Sequence, residues 1–568
     1  VLMQIYKSQG YSERDAAQSI LLNNLYGLDI DDRAAQLAYF AVMMKARQYD
    51  RRIFSRNIQP HVYPIAESNE LDYSTIDYFV KKDQKLKENL GTLVKELRDA
   101  KDYGSILDIP HIDFDALYAR AAEILKSDSI FKDIVSDTIL PMIQTAELLS
   151  QKYDIVITNP PYMGSSGMNE KLSDYVKRNY PNSKSDLFAI FIERCGAMTA
   201  DNRYYAMITQ HAWMFLSSYE KLRKKLLMTD TVNMAHLGPR AFEEIGGEVV
   251  QTTSFVIRKS HIADYRTTYC RLIEPTTQQG KEDMFLAGEN QYTAVQSNFS
   301  QIPGSPVAYW VSDNFIKTFA TGSSIDNIGN ARQGIIPGNV DAFVRLWFEP
   351  SYNRIGFNHT ENSEIRKYGY KWFPYNKGGA FRRWYGNIEH VINMENDGYD
   401  IRFSGQNNNY RLRESNLYFK EGITWSKISS GAFSARYMPK GNLFDIAGCC
   451  VFDLGNDVKY ILSMANSVIT TKILDIISPT LNYEVDHIKK LPVIFSKLHR
   501  EKIDKLVDDN LLLCRCDWDS FETSWDFLAH PLVLASYAPD SNGGHKSTVA
   551  EAFDKWKKVC NDRFTQLK

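Results

Sequence analysis

The sequence predicts an α/β protein with a doubly wound, Rossmann-like sheet, followed by an α+β domain and a helical C-terminal segment. Two observations predict the sheet. Residues 155–157 form a short apolar strand that stops at Asn-Pro-Pro-Tyr, residues 159–162, because two consecutive prolines fix φ and remove two backbone donors. Residues 25–30 form another apolar strand, which ends in acidic residues before a helix begins at residues 31–38. An acidic residue between a strand and a helix is typical of nucleotide sites in such sheets.

Composition sets the outer limits on domain number and protein class. A chain of 568 residues is too long for one core, so two or three domains are expected. The apolar fraction of 44% and the charged fraction of 24% are those of a soluble globular protein. The formal net charge of -2 means that any surface for nucleic acid must be local.

The cysteines and the lengths of the apolar runs indicate the cellular compartment of the protein. Seven cysteines form no C-x-x-C pair, their number is odd, and no signal peptide is visible. This pattern predicts a reducing environment without disulfides or a structural metal. No apolar run is long enough to span a bilayer. We therefore expect a cytoplasmic, soluble protein with no membrane contact.

The Asn-Pro-Pro-Tyr motif has the groups needed to hold a planar exocyclic amine. The rigid backbone fixes the side chain of Asn159 and the carbonyl group of Pro160, which are two hydrogen-bond acceptors, and Pro161 continues the rigid segment. Tyr162 then provides a flat ring that can stack on a base. Accepting the amine hydrogens frees the nitrogen lone pair for attack, and this chemistry needs no metal ion and no covalent intermediate.

The motif resembles that of the amino-methyltransferases that modify N6 of adenine in DNA. The resemblance implies S-adenosylmethionine as the methyl donor and an adenine flipped out of the duplex. Asp29 is then the candidate ligand of the cofactor ribose, and Ile30 the candidate for packing on the cofactor adenine. The alternative is that Asp29 is only the N-cap of the following helix.

The rest of the predicted catalytic domain, residues 1–275, contains an insertion at about 45–150. We expect a solvated helix at 77–97, a third strand at 105–108 and a helix at 114–151. Further strands are predicted at 204–209 and in a hairpin at 246–257 that closes the sheet. Phe242 matches the position of an aromatic residue that stacks on the flipped base in the gamma-ordered adenine methyltransferases. It could equally be a core phenylalanine.

Residues 329–495 have a different character and are predicted to form a target-recognition domain. Between residues 366 and 440 there are 13 Lys/Arg against 6 Asp/Glu, interleaved with aromatic residues. Basic side chains neutralise phosphates, whereas aromatic and amide groups contact bases. The candidate DNA contacts are Arg382, Arg383, Trp384 and Tyr385. The cluster at 406–409, Gln-Asn-Asn-Asn, could contact base edges or form a turn.

Taken together, five blocks resemble the adenine methyltransferase of BREX phage-defence systems, the phage-growth-limitation protein X family. They are LYGLDIDDRAAQLA, YDIVITNPPYMGSSG, FRRWYGNIEHVINMENDG, GITWSKISSGAFSARYMPKG and TLNYEVDHIKKLPV. The resemblance implies double-stranded DNA with a short asymmetric site as substrate, and other proteins of the defence complex as partners.

One expected feature is missing. This class places a Gly-rich turn after its first strand, and no G-x-G precedes Asp29. Because the chain also begins inside a helical pattern and stops inside another, we expect a fragment whose activity is in doubt. Residues 276–328 are then a connector and residues 496–568 a helical segment.

Three alternatives stay open. A fused restriction-modification enzyme has the same core and recognition domain, although no nuclease pattern is visible here. An inactive DNA-binding fragment would keep only the recognition surface. A protein glutamine methyltransferase also uses Asn-Pro-Pro-Tyr, but the large basic and aromatic domain argues against it.

Overall fold

A computed structural model describes residues 1–242, 250–405, 409–429, 431–478, 482–537 and 548–567. The chain divides into two compact units, residues 1–296 and 297–568.

The first unit is an α/β structure, as the sequence predicts. Its helices are α1 Leu2–Ser8, α2 Glu13–Asn23, α3 Asp32–Tyr49, α4 Tyr73–Val80, α5 Gln84–Glu96, α6 Ala100–Tyr103, α7 Phe114–Lys126, α8 Lys132–Ile134, α9 Leu140–Ser150, α10 Glu170–Asn179, α11 Leu187–Met198, α12 Glu220–Leu226 and α13 Gln278–Leu286. Its strands are β1 Tyr26–Asp29, β2 His61–Pro64, β3 Tyr153–Thr158, β4 Thr199–Gln210, β5 Asp230–Pro239, β6 Gln251–Arg258, β7 Arg266–Arg271 and β8 Gln291–Val295.

Two sheets organise these strands. The strands β1 and β2 form a parallel pair, and the other sheet has the order β3-β4-β6-β5-β7-β8. In that second sheet β3 is parallel to β4, whereas β6 is antiparallel to both of its neighbours. The strands that end at Asp29 and at Thr158 are thus confirmed, and each lies at an edge of its sheet among the described residues.

A helical layer holds the core beside these strands. The helices α4, α5, α7 and α9 bury a continuous apolar cluster that includes Phe79, Leu90, Leu93, Leu117 and Ile143. The prediction of a solvated helix at 77–97 is therefore wrong, because this region forms two helices whose apolar faces pack into that cluster. The predicted helix at 114–151 is interrupted by a π-helical turn, Val135–Ile139, and restarts at α9.

Two strand predictions need correction. Residues 105–108 do not form the third strand, because Gly104–Ile106 is one turn of 3-10 helix and β2 pairs with β1 instead. The described part of the hairpin predicted at 246–257 is a single strand, β6, which pairs with β5 so that Met234 lies opposite Phe255. This strand does not close the sheet, since it lies between β4 and β5 and the described edge strands are β3 and β8. Residues 246–249 of the predicted hairpin lie outside the described residues.

The second unit combines small sheets with helices. Its helices are α14 Asp313–Thr321, α15 Ile325–Ile328, α16 Val340–Phe343, α17 Glu364–Lys367, α18 Glu395–Phe403, α19 Val458–Ala465, α20 Val468–Ile477, α21 Val485–Lys489, α22 Arg500–Trp518, α23 Pro531–Tyr537 and α24 Val549–Gln566. Its strands are β9 Ser323–Ser324, β10 Asn330–Arg332, β11 Val344–Leu346, β12 Trp372–Asn376, β13 His390–Asn393, β14 Gly422–Ser426, β15 Ala435–Met438, β16 Leu443–Phe444, β17 Gly448–Phe452 and β18 Pro492–Val493.

Two four-stranded sheets, β10-β17-β14-β15 and β11-β13-β12-β16, form the centre of this unit, and β18 pairs with β9. Every residue of β14 and β17 is buried, which explains the aromatic content of this region: Trp425, Phe433 and Phe452 are core residues. Among the described helices, no single one is long and apolar enough to cross a membrane. By length and composition only, one pair bent by 78°, Gly455–Ala465 with Val468–Ile477, passes that test.

Candidate active site

The Asn-Pro-Pro-Tyr motif leaves the carboxyl end of β3. The last residue of this strand, Thr158, lies opposite Met207 of β4, so the motif follows an edge strand that is fixed on one side. Pro160 is buried, whereas Asn159 is exposed. No described group forms a hydrogen bond with the side chain of Asn159. This amide is therefore held by its backbone and is open to a ligand.

Tyr162 packs against Phe188. Its ring is half-buried and roughly perpendicular to the Phe188 ring, with 6.1 Å between the ring centroids. Its hydroxyl group is buried and has no hydrogen-bond partner among the described residues. Burial raises the pKa of Tyr162, and the nearby Asp186 carboxylate adds to this effect. The phenol is therefore neutral near pH 7, as a stacking surface requires.

Asp186 fixes the loop that follows the motif. Its carboxylate caps α11 by accepting the Phe188 N–H at 3.3 Å, and it also accepts the Met163 N–H at 3.1 Å. The Leu187 N–H donates to the Met163 carbonyl oxygen at 3.0 Å. Burial raises the pKa of Asp186. The sequence indicates the start of a helix here, but it does not reveal the bond to Met163.

Asp29 lies at the carboxyl end of β1. One of its carboxylate oxygens accepts the Asp31 N–H at 2.9 Å, and no described group bonds the other. The N-cap of α3 is Asp31, which accepts the N–H groups of Arg33 and Ala34. The alternative that Asp29 is the N-cap is therefore wrong. Ile30 follows and is 47% exposed.

The segment at 104–108, part of which the sequence predicts as a strand, lies beside the end of β1. Gly104 lies against Ile30, and a Cβ built on Gly104 would be 3.1 Å from Ile30 Cδ1. From α11, the buried Arg194 donates to the carboxylate of Asp108 at 2.6 Å, to the Leu149 carbonyl oxygen at 2.7 Å and to the Ser105 carbonyl oxygen at 3.4 Å. Arg194 thereby ties the segment beside Ile30 to the helix just before β3. Nothing local in the sequence distinguishes Arg194 from a surface arginine.

A pair of histidines spans the strand β6, which lies between β4 and β5. His211, directly after β4, and His236 of β5 are joined through Nδ1 and Nε2 at 2.9 Å. Burial lowers the pKa of His211 to about 4 and that of His236 to about 3. Both rings are therefore neutral near pH 7. Phe242 follows β5 and is half-buried, and its role in base stacking stays a prediction.

Two of the predicted DNA contacts in the second unit are occupied by α22. Arg382 forms an ion pair with Asp517 at 3.2 Å, and its guanidinium lies over the Trp518 ring at 5.1 Å. Tyr385 is buried, with the guanidinium of Arg515 over its ring.

The other two differ in their surroundings. Trp384 is partly buried and packs against the core of this unit. Arg383 lies over the largely exposed ring of Phe381 at 5.6 Å. Of the cluster at 406–409, only Asn409 is described, and it is exposed; residues 406–408 lie outside the described residues.

Comparisons with known proteins show what this chain is similar to. Residues 23–237, which include Asp29 and the whole Asn-Pro-Pro-Tyr motif, match the model of the Eco57I restriction-modification methylase family. The chain is 40% identical to adenine-specific methyltransferase PglX of Lacticaseibacillus casei (strain Zhang) over 100% of its length. The chain is a relative of PglX. The predicted resemblance to the phage-growth-limitation protein X family is thereby confirmed.

The chain is also similar to a second curated protein and to a solved structure. Adenine-specific methyltransferase BrxX of Escherichia coli O9:H4 (strain HS) is 36% identical over 100% of this chain. The chain spans about half the length of these curated relatives, 48% of PglX and 47% of BrxX. Among solved structures, the Type IIL restriction-modification enzyme MmeI in complex with DNA is similar at a TM-score of 0.48 and 11% identity, covering 100% of this chain and 74% of that chain.

Proposed function

We propose that this chain provides the catalytic site of a DNA adenine N6-methyltransferase. The observation that carries the proposal is the exposed side chain of Asn159, which forms no hydrogen bond with a described group and directly precedes the buried Pro160 at the end of β3. Both full-length relatives are named as adenine-specific methyltransferases. The substrate is double-stranded DNA, from which one adenine is flipped into the site because its amine is unreachable inside the stack.

The proposed chemistry is activation of the adenine amine. The lone pair of this nitrogen is delocalised into the ring, so the amine is a poor nucleophile. Asn159 Oδ1 and the Pro160 carbonyl oxygen accept its two hydrogens, which favours the tetrahedral nitrogen of the transition state. Tyr162 holds the base in line by stacking. Catalysis then rests on positioning and on fixed dipoles.

The residues at the end of β1 fit one part of S-adenosylmethionine. A free carboxylate oxygen on Asp29 suits a ribose hydroxyl group, and the exposed Ile30 beside the side-chain-free Gly104 offers an apolar surface for an adenine ring. The cofactor supplies an electrophilic sulfonium methyl group when it is bound. Asp29 would orient the ribose, and the segment held by Arg194 would limit the room for the adenine.

The same proposal extends to the sheet. The apolar side chains of Ile155 and Ile157 are 60% and 73% exposed, although a strand in a parallel sheet is normally covered on both faces. The rings of Tyr26 and Tyr153, at the starts of β1 and β3, lie 5.6 Å apart. The contact between these rings supports one doubly wound sheet that contains both β1 and β3.

Residues 329–495 are proposed to recognise the DNA sequence, and other phage-defence proteins are proposed as partners in the cytoplasm. Arg383 beside Phe381 is the better candidate contact, because Arg382 and Tyr385 are engaged by α22.

The test is an Asn159→Ala variant with Asn179→Ala as the matched control. Asn179 is an exposed asparagine in α10, away from the motif. With DNA and S-adenosylmethionine, formation of N6-methyladenine measured by mass spectrometry should fall about 10²- to 10³-fold in the first variant only. Affinity for the cofactor should be unchanged. Equal methylation by wild type and the Asn159 variant would refute the assignment.

A further inference from the structure

A pair of exposed aromatic rings projects from the second unit. Tyr399 and Phe403 lie one helical turn apart on α18, with 57% and 67% of each residue exposed. Their ring centroids are 4.9 Å apart. Between them Ile401 is fully buried in the core, so the helix is anchored on the opposite side. The pair contributes little to the core and is displayed to solvent.

The backbone before this pair adopts an unusual conformation. Asn396, Asp397 and Gly398 are consecutive left-handed residues, with φ of 52°, 63° and 72°. A left-handed turn costs roughly 1–2 kcal/mol for each residue that has a Cβ, although Asn and Asp tolerate it better than most residues. The turn is held by the Asp397 carboxylate, which pairs with Arg366 at 3.1 Å and with Arg402 at 3.6 Å. The direction of the aromatic pair is therefore built into the fold.

The charge around the pair is positive once ion pairs are considered. Each carboxylate of residues 395–414 has a cationic partner within 3.7 Å: Glu395, Asp397, Asp400 and Glu414 pair with arginine or lysine. Arg411 and Arg413 are exposed and have no ion-pair partner among the described residues. Leu412 between them packs on Gly398, where an added Cβ would be 3.0 Å from Leu412 Cδ1. Neighbouring side chains of an extended segment point to opposite sides, so the two arginines point outward beside the turn.

We propose that Tyr399 and Phe403 form an aromatic wedge that stacks against bases of the bound duplex, while Arg411 and Arg413 contact the flanking phosphates. The inference rests on the proposed function, since it takes DNA as the partner. A rigid pair of rings loses little conformational entropy on binding, and every base presents a π-face to stack on. Inserted side chains of this kind unstack a base step and bend the duplex. Aromatic residues and arginine are also enriched at protein interfaces, so binding of a protein is the outcome that the experiment must separate from binding of DNA.

The experiment compares the 568-residue chain with its Tyr399→Ala/Phe403→Ala variant on a duplex that has a fluorophore at each end. The double variant loses both stacking rings, so it should bind DNA at least about tenfold more weakly. The change in energy transfer on binding should also diminish. The slope of log affinity against log salt should stay as in wild type, because no phosphate contact is removed. Tyr399→Phe should behave as wild type.

Phe348→Ala is the matched control, since Phe348 is also an exposed aromatic residue of this unit, beyond the strand β11. It should leave both DNA affinity and bending unchanged. A double variant that binds and bends DNA like wild type would overturn the wedge, even if wild type methylates DNA and so supports the proposed function. Loss of a protein partner without loss of DNA affinity would assign the rings to a protein interface instead. Methylation by the Asn159→Ala variant at the rate of an active wild type would count against the proposed function, whichever way the wedge comparison falls.

Discussion

Replacing Arg194 with methionine should destabilise the first unit far more than its single ion pair suggests. The side chain is only 3% exposed, and it donates to two backbone carbonyl groups as well as to Asp108. Asp108 is 77% exposed, so its carboxylate regains water when the arginine is lost. The Leu149 carbonyl oxygen, bonded at 2.7 Å, is left without its partner. Methionine fills the space of the stem, so the change isolates the polar contacts.

The size of the effect follows from these bonds. A hydrogen bond to a charged group contributes about 1.5–3 kcal/mol, and two of the three bonds are short. The desolvation of the buried guanidinium offsets part of this, which leaves an expected loss of about 3 kcal/mol. That is a large share of the roughly 5–15 kcal/mol by which a typical protein is stable.

The matched control is Arg203→Met. Arg203 has an ion pair of similar length with Asp154, 2.7 Å, but the two side chains are 56% and 77% exposed. Such a surface pair contributes under about 1 kcal/mol. Hydrogen exchange of peptides covering α9 and α11, read by mass spectrometry, should report faster local opening in the Arg194 variant only. The reasoning fails if the free energies of unfolding of the Arg194→Met and Arg203→Met variants differ by less than about 1 kcal/mol.

Three further outcomes are expected. Gly104→Val should weaken S-adenosylmethionine binding about tenfold in titration calorimetry, because the added carbons meet Ile30 and the φ of +63° disfavours a Cβ; unchanged affinity would place the adenine elsewhere. Since burial lowers the pKa of His236 to about 3 and that of His211 to about 4, against about 6.5 when unfolded, their contribution to stability is complete above pH 6.5 and is lost as the pH falls toward those values. We therefore expect the free energy of unfolding of His236→Gln, measured by urea titration, to fall less steeply than that of wild type between pH 6.5 and 4, by about 1.4 kcal/mol per pH unit. If the two proteins show the same pH dependence, the burial argument is contradicted. Arg383→Ala should flatten the salt dependence of DNA binding by about 0.9 if it contacts one phosphate, whereas an unchanged slope would remove it from the interface.

Features that depend on short stretches of chain can be predicted from the sequence. Two consecutive prolines end the apolar strand at 155–157, so the motif at 159–162 is visible without a structure. The acidic residues after residue 28 likewise mark the change from strand to helix, although the cap proved to be Asp31 and Asp29 stays free on one oxygen. The five sequence blocks were sufficient to indicate the relatives that the comparisons identify.

Local patterns were misleading where packing between distant segments decides the outcome. The charged stretch at 77–97 was predicted to be solvated, yet its apolar positions pack against α7 and α9. The apolar residues at 105–108 were predicted to be a strand, but the place beside β1 is taken by residues 61–64. A short apolar segment can be buried either as a strand or as a helical turn. Its conformation therefore depends on which other segments pack beside it in the folded protein.

Only the tertiary structure shows which side chains are free to contact a ligand such as DNA. Arg382 and Tyr385 look like DNA contacts in sequence, but an ion pair with Asp517 and the packing of α22 engage them. The left-handed turn that displays Tyr399 and Phe403 leaves no unambiguous mark in sequence, because Asn-Asp-Gly also forms ordinary turns. Arg194 and the two histidines acquire their roles from partners between 25 and 89 positions away along the chain. Such contacts are set by how the strands and helices pack, and a single sequence contains no local signal for them.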